Sequence, residues 1–404
     1  MRPIAPSSGL SFMAAAKSGW VRRNGLLWSE VEASKGARNW DPELESELIS
    51  ASKNGMETIL IVRSAPSWSR MDPASPCGKI KESEFSSFAS FLKDAVTRFS
   101  KAPYNVKYWE IWNEPDIVEI KQDWEYGCWG ISNDDYYGGA YYGDLLQVVY
   151  PQIKAADPTA QVLVGGLLLN CDPAVRDRCT DPRPSNFFEG IMISGAGSSF
   201  DGVSFHGYDY YLGQLGQYGN GNWASFWNTT GPVLTAKAEY LRSILDKYNL
   251  ENKFLINSET ALIYDGTCDQ NCQTTKAYYV VQSYTAAIAA DLRANIWFTT
   301  TGWRQSGLFD TGLVPLPAYE TFAFAGEMFM NAKFLREIDS YAGVQVYEFQ
   351  RGFKKFWVVW SLDGTNHPIQ LPHTPAAIRD AFGDAYPFNG TAVTVNLKPV
   401  YIEW

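Results

Sequence analysis

The feature that most constrains the fold is an alternation of apolar, β-branched runs with amphipathic segments. The strand-like runs are SGWVRRNGLLW, METILIVRSAPSW, VKYWEIWNEPD, QVLVGGLLLN, FDGVSFHGYDYY, KFLINSETALIY and ANIWFTTTGW. Between them lie segments with apolar residues three to four positions apart, such as DPELESELISASKNG and LTAKAEYLRSILDKYN. Strands that alternate with helices pair in parallel. The pattern therefore predicts an α/β fold, a (β/α)8 TIM barrel.

Seven such runs fall one short of a closed barrel. The missing first strand should precede the helix-like segment SSGLSFMAAAKSG. We expect it either in the few residues around 1–5 or not within this sequence.

The pattern changes at about Leu335, where short alternating runs separated by turns replace the longer units. These runs are GVQVYEFQ, KKFWVVWSLDG, HPIQLP, AAIRDAFGDAY, TAVTVNL and PVYIEW. Such alternation indicates antiparallel β structure. We predict a barrel over residues 1–335 and a small β-sandwich-like accessory domain over residues 336–404.

Composition narrows the class of partner. The formal net charge of -10 argues against nucleic acid or an anionic membrane as the main partner, since both require a basic face. No apolar run is long enough for a membrane helix, and the first residues lack the layout of a signal peptide. The 15 Trp and 23 Tyr residues are compatible with carbohydrate binding, because rings stack on the apolar faces of sugars.

The cysteines lie in segments that read as loops, which is typical of exported proteins. Short spacing suggests the disulfides Cys171–Cys179 and Cys268–Cys272, which leaves Cys77 and Cys128 as a third pair. Free thiols are the alternative. We expect a secreted or extracytoplasmic protein, and two sequons, at Asn228 and Asn389, would matter if the host glycosylates.

Two glutamates end strand-like runs. Glu114 follows VKYWEIWN and precedes a proline, and Glu259 ends KFLINSE. In a barrel the carboxyl ends of the strands carry the active site, so both side chains belong there. Paired carboxyl groups cleave glycosidic bonds, with retention at a separation of about 5–5.5 Å and inversion at about 6.5–9.5 Å. Sequence spacing leaves both routes open.

The motif Trp112-Asn113-Glu114-Pro115, with the later strand-end Glu259, resembles the clan A glycoside hydrolases, most closely family 39 and family 5-like enzymes. The resemblance implies hydrolysis of a β-linked oligo- or polysaccharide with retention. It also implies that Asn113 holds the substrate 2-hydroxyl, that Glu114 is the general acid/base and that Glu259 is the nucleophile.

Other positions of the sequence match clan features in order. The resemblance implies an arginine on the second strand that supports the nucleophile, and Arg22 and the adjacent Arg23 are both candidates. In the strand count of the clan, it also implies residues that contact the sugar after the third strand, on the sixth strand and beside the eighth. These residues are Trp68, His206, Tyr208, Trp297 and Trp303.

Other enzyme classes find little support. The chain has three histidines, two of them in the C-terminal β region, so we expect no metal site. No G-x-S-x-G elbow, P-loop or dinucleotide fingerprint occurs, so we expect no cofactor. The alternatives are a carbohydrate-binding barrel without activity, an inverting enzyme, and a transglycosylase that uses the same residues.

Overall fold

The structure is a computed structural model. It describes residues 4–75, 77–118, 127–175, 181, 183–213, 223–229 and 231–404.

A curled sheet of parallel strands forms the centre of the fold. Its strands follow the order β1-β2-β3-β4-β5-β7-β8, and the short β6 pairs with β5 in antiparallel orientation. Their bounds are β1 Trp20–Leu27, β2 Glu57–Arg63, β3 Tyr108–Asn113, β4 Gln161–Leu167, β5 Gly202–Tyr211, β6 Trp223–Ala224, β7 Phe254–Ile263 and β8 Asn295–Trp297. Each of the seven predicted runs contains one strand of this order, which confirms the (β/α)8-type fold class.

Helices connect these strands. They are α1 Leu10–Ala15, α2 Trp28–Val31, α3 Pro42–Lys53, α4 Phe85–Phe99, α5 Gly139–Ala156, α6 Phe187–Ile193, α7 Val233–Lys247, α8 Gln270–Ala289 and α9 Pro317–Phe329. Local sequence explains where they begin: the Asp41 side chain accepts a hydrogen bond from the Glu43 backbone N–H at 2.8 Å, and Pro42 occupies the first position of α3.

The predicted first strand is not seen in the described residues. Residues 1–3 lie outside them, and Ile4 and Ala5 form a bend. The Ile4 backbone N–H donates to Glu47 Oε2 at 3.0 Å, so this segment is bonded to a side chain of α3.

The chain divides into two compact units. The first comprises Met1–Pro6, Gly19–His206 and Lys237–Ser258, and the second comprises Ser7–Ser18, Gly207–Ala236 and Glu259–Trp404. The core of the first includes the fully buried centre of β2, from Ile59 to Val62, which is the continuous apolar run typical of a parallel strand. A core cluster of the second contains Tyr279 and Trp297.

Antiparallel sheets form the C-terminal part of the second unit, as predicted. One sheet has the order β13-β15-β11-β10-β9, and β12 pairs with β14. Their bounds are β9 Ala332–Glu337, β10 Val344–Arg351, β11 Lys354–Ser361, β12 His367–Gln370, β13 Ala377–Asp380, β14 Ala392–Val395 and β15 Val400–Glu403. The predicted boundary at residue 335 falls within β9 and stays a prediction.

Two of the predicted disulfides join described residues, Cys77–Cys128 and Cys268–Cys272. The first connects the segment after β2 with the segment after β3. Cys171 is also disulfide-bonded, but its predicted partner Cys179 lies outside the described residues. Over the part of the chain that the structure describes, no helix is long and apolar enough to cross a membrane.

Candidate active site

Glu114 lies immediately after β3. Its backbone N–H donates to the Gly166 carbonyl of β4 at 2.9 Å, so the backbone one residue beyond β3 is still bonded to the neighbouring strand. Trp112 and Glu114 both have positive φ angles, 75° and 49°. Non-glycine residues rarely adopt this conformation, and strained positions of this kind tend to cluster at active sites. The Trp112 indole donates to the Gly127 carbonyl at 2.8 Å, which stabilises the turn.

Burial dominates the electrostatics of Glu114. Desolvation raises the pKa of its carboxyl group to about 7, and the negative charge of Glu110 acts in the same direction. The cations of Arg22 and Lys237 oppose this rise. Glu114 is therefore largely protonated at mildly acidic pH, as a proton donor must be.

A buried polar network lies beside Glu114. Arg22 of β1 forms an ion pair with Glu110 of β3, and its Nη2 also donates to Asn113 Oδ1 at 2.7 Å. Glu110 accepts two more hydrogen bonds, from the Gly166 N–H at 3.1 Å and from the Ser204 hydroxyl at 2.8 Å. These partners compensate the cost of burying the Glu110 charge and fix the orientation of Asn113.

The structure separates the two arginine candidates. Successive side chains of a strand point to opposite faces, so Arg22 and Arg23 cannot both face the barrel interior. Arg22 contacts Glu110 and Asn113, whereas Arg23 forms an ion pair with Glu47 of α3. Arg22 is thus the arginine beside the Asn113-Glu114 pair.

His206 of β5 contacts Glu114 directly. Its Nδ1 lies 2.8 Å from Oε1 of Glu114, and its side chain is fully buried. The carbonyl of His206 accepts a hydrogen bond from Nζ of Lys237 at 2.8 Å, and Lys237 also donates to the Leu168 carbonyl at 2.7 Å. Lys237 therefore joins the end of β4 to the middle of β5 while placing a cation near Glu114.

The second unit presents Glu259, which lies within β7 and not at its end as predicted, because the strand continues to Ile263. The Tyr208 hydroxyl of β5 donates a hydrogen bond to Oε2 of Glu259. The Tyr208 ring in turn has edge contacts with Phe298 and Trp303, at centroid distances of 5.8 and 5.9 Å. Tyr208 is thus held by rings on one side and orients the carboxylate on the other.

The remaining predicted aromatic residues differ in exposure. Trp303 is 47% exposed, so its ring can contact a ligand. Trp297 is buried and donates its indole N–H to the Ser306 carbonyl at 2.8 Å, and Trp68 is half-buried and donates to the Glu32 carbonyl at 3.2 Å. Sugar contacts by Trp68, Trp297 and Trp303 stay predictions.

Sequence reasoning missed several residues around Glu114. Gly166 leaves no room for a side chain, because a Cβ there would lie 2.3 Å from Nε2 of His206. The sequence carried a hint of this contact in the two consecutive glycines of the run QVLVGGLLLN, because glycine within a strand often marks the close approach of another group.

Two further residues near Glu114 were also missed. Asp116 accepts hydrogen bonds from the Leu168 and Leu169 N–H groups at 2.9 and 2.8 Å, which anchors the chain after β4. Lys237 had no sequence signal, because it is one of several lysines on predicted helices.

Comparisons with solved structures agree with the fold. A search of curated proteins finds no match. Among solved structures, the chain is similar to a family 39 glycoside hydrolase from the gut symbiont Bacteroides cellulosilyticus, with a TM-score of 0.75 and 18% identity, over 100% of this chain and 79% of the other. It is also similar to a family 39 β-xylosidase from Caulobacter crescentus, with a TM-score of 0.62 and 14% identity, over 99% and 92% of the two chains. A third similar structure, a family 30 subfamily 8 xylanase from Clostridium acetobutylicum, has a TM-score of 0.63 and 12% identity, over 99% and 92%.

At these identities the solved structures show a shared fold. Their families, like family 5, are clan A glycoside hydrolases, so the resemblance to that clan is confirmed. The model of the family described as cellulase, glycosyl hydrolase family 5, matches residues 19–303, which is more than half of the chain. The chain therefore belongs to glycosyl hydrolase family 5.

Proposed function

We propose that this chain is a retaining glycoside hydrolase of β-linked glycans, with Glu114 as general acid/base and Glu259 as nucleophile. The observation that carries the proposal is the environment of Glu114. Its carboxyl group has a pKa raised to about 7 by burial, lies at the carboxyl end of a barrel strand and is oriented by His206. A carboxyl group that stays protonated near neutral pH is the requirement for a general acid.

The reaction proceeds in two displacements. The Glu259 carboxylate attacks the anomeric carbon while protonated Glu114 donates its proton to the departing glycosidic oxygen. The resulting glycosyl ester is then attacked by water, whose proton goes to the Glu114 carboxylate, and the bond to Glu259 breaks. Atoms balance over the cycle, because one water molecule is consumed and both glutamates return to their starting forms.

The neighbouring residues have supporting roles in this proposal. Tyr208 holds Glu259 in one orientation. We assign binding of the substrate 2-hydroxyl to Asn113, whose side chain Arg22 holds. The retaining route requires the two carboxyl groups to lie about 5–5.5 Å apart. Glu114 directly follows β3 and Glu259 lies within β7, and both strands belong to one sheet.

The expected substrate is a neutral, β-linked oligo- or polysaccharide. The half-exposed Trp303 beside Tyr208 offers a ring for the apolar face of a sugar. The two disulfides fit an oxidising compartment, and a similar solved structure is titled a conserved exported protein from Bacteroides fragilis. We infer that the protein acts outside the cytoplasm.

The test is activity on a panel of aryl β-glycosides and β-linked polysaccharides, with the anomer of the first product followed by NMR. We expect a β product from the wild type, loss of that product in Glu259→Ala, and selective loss of activity on poor leaving groups in Glu114→Ala. Glu57→Ala is the matched control, because Glu57 begins β2 and so lies at the opposite end of a strand.

Four outcomes would replace the proposal. An α product would indicate inversion. Full activity in both glutamate variants would remove the assignment. Binding of a glycan without cleavage would favour a carbohydrate-binding barrel, and transfer to an added sugar in preference to water would indicate a transglycosylase.

A further inference from the structure

A groove of about 600 Å³ lies on the small sheet of β12 and β14 in the second unit. Its size is within the range of pockets that hold small ligands. Its lining combines an exposed ring with small and polar side chains, including Pro368, Gln370, Phe388, Asn389, Ala392 and Thr394. No role in the proposed hydrolysis uses this groove.

The hairpin before β14 presents Asn389 to this groove. Asn389 and Ala392 exchange backbone hydrogen bonds of 3.2 and 3.0 Å around the two central residues Gly390 and Thr391. Gly390 has a φ of 62°, which suits the first central position of a type II′ turn. Directly opposed residues place their side chains on the same face, so the Asn389 side chain lies on the face of Ala392.

That face is the one that lines the groove. Ala392 pairs with Gln370 of β12, and Thr394 pairs with Pro368, while Ile369 and Val393 point into the core between them. Asn389 is exposed, and its side-chain amide has no hydrogen-bond partner among the described residues. The amide nitrogen is therefore accessible beside a small residue that leaves space over the sheet.

Asn389-Gly390-Thr391 is also an acceptor sequence for N-linked glycosylation. We propose that Asn389 carries an N-linked glycan and that its first sugars lie in the groove. In the transfer, Nδ2 of Asn389 forms a bond to C1 of an N-acetylglucosamine. The bond from C1 to the diphosphate of a lipid-linked oligosaccharide donor breaks, the diphosphate leaves with its electron pair, and one amide proton is lost to base.

The chemistry of the groove suits a sugar. Phe388 is 39% exposed and flanks the acceptor residue, so its ring can cover the apolar face of the first sugar. Gln370, whose Nε2 donates to the Thr391 hydroxyl, and Thr394 carry further hydrogen-bonding groups among the residues that line the groove. Tyr386 donates its hydroxyl to the Thr394 carbonyl at 2.8 Å, which stabilises the wall of the groove without the glycan.

The experiment is secretion of the full chain from a eukaryotic host, with glycopeptide mass spectrometry of the segment around residue 389. A secreted glycoprotein of the host serves as the control for glycosylation. We expect a glycan on Asn389 that is retained in Thr391→Ser and absent in Asn389→Gln. An unmodified Asn389 in a host that glycosylates its own protein would overturn the proposal.

A second measurement tests whether the glycan occupies the groove. We expect Phe388→Ala to lower Tm by about 2 °C more in the glycosylated protein than in protein from a bacterial host, which lacks the glycan. Equal effects in both forms would show that the sugars do not contact Phe388. If the unmodified chain bound a free polysaccharide, and if Phe388→Ala weakened that binding, the groove would have a different occupant and the proposal would be overturned. Neither result depends on the hydrolytic function.

Discussion

The substitution Gly166→Ala tests whether the contact between His206 and Glu114 supports catalysis. A Cβ at Gly166 would lie 2.3 Å from Nε2 of His206 and 3.0 Å from Nη2 of Arg22. Ordinary van der Waals contact begins near 3.5 Å, so the imidazole must move by about 1 Å. Nδ1 of the same ring bonds Glu114 at 2.8 Å, and a shift of this size breaks or misdirects that bond.

The size of this displacement sets the loss of activity that we expect. A misplacement of about 1 Å in a catalytic group lowers the rate about 10²-fold, so we expect kcat/KM to fall by about that factor. Overpacking one methyl group in a core costs about 1–3 kcal/mol, which lowers Tm by a few degrees and leaves the chain folded at 25 °C. The loss of activity should therefore exceed any loss of folded protein.

The assay compares kcat/KM on an activated aryl β-glycoside with the thermal unfolding curve of each variant. Gly19→Ala is the matched control, since a Cβ there meets nothing within 4 Å. Wild-type activity in Gly166→Ala would refute the reasoning. So would an activity loss that merely follows the fraction unfolded.

Three further predictions address the charges and hydrogen bonds of the site. Because the pKa of Glu114 is raised to about 7 and the acid form is the donor, kcat/KM should fall as pH rises through about 7. A pH profile measures this, and a profile level to pH 9 would exclude Glu114 as the acid. Lys237→Met should move the same limb to higher pH, because the lysine cation lowers the pKa of Glu114. Lys276→Met is the control for Lys237→Met, because it also removes a buried lysine that donates to two carbonyl groups. It should leave the alkaline limb of the pH profile unchanged. Tyr208→Phe removes a hydrogen bond to the Glu259 carboxylate, which is worth about 1.5–3 kcal/mol. We therefore expect kcat/KM to fall about 10- to 10²-fold. An unchanged kcat/KM would show that Tyr208 does not orient Glu259.

The strands of the barrel could be predicted from the sequence because parallel strands that are buried on both faces consist of continuous apolar runs. The sequence predicted Asn113 and Glu114 because a motif with a proline marks the end of β3. The choice between Arg22 and Arg23 could not be made from sequence, since adjacent residues alternate faces and only pairing with Glu110 or Glu47 distinguishes them.

Other features depend on packing that no local pattern records. Trp297 lies at the predicted eighth strand, yet it is buried in a core cluster of the second unit, where its indole N–H donates to the Ser306 carbonyl. The role of Lys237 depends on two carbonyl groups that lie 69 and 31 residues away in sequence. The predicted boundary at residue 335 falls within β9 because AKFLRE alternates only weakly.

The most direct test of the central claim is covalent trapping of the nucleophile. The wild-type protein is incubated with an activated 2-deoxy-2-fluoro glycoside of the sugar that the substrate panel identifies, and the digested protein is examined by mass spectrometry. We predict one glycosyl adduct, on the peptide that contains Glu259, that does not form in Glu259→Ala and persists in Glu114→Gln. An adduct on another residue, or an active enzyme that forms no adduct and releases the inverted product, would contradict the assignment of Glu259 as nucleophile.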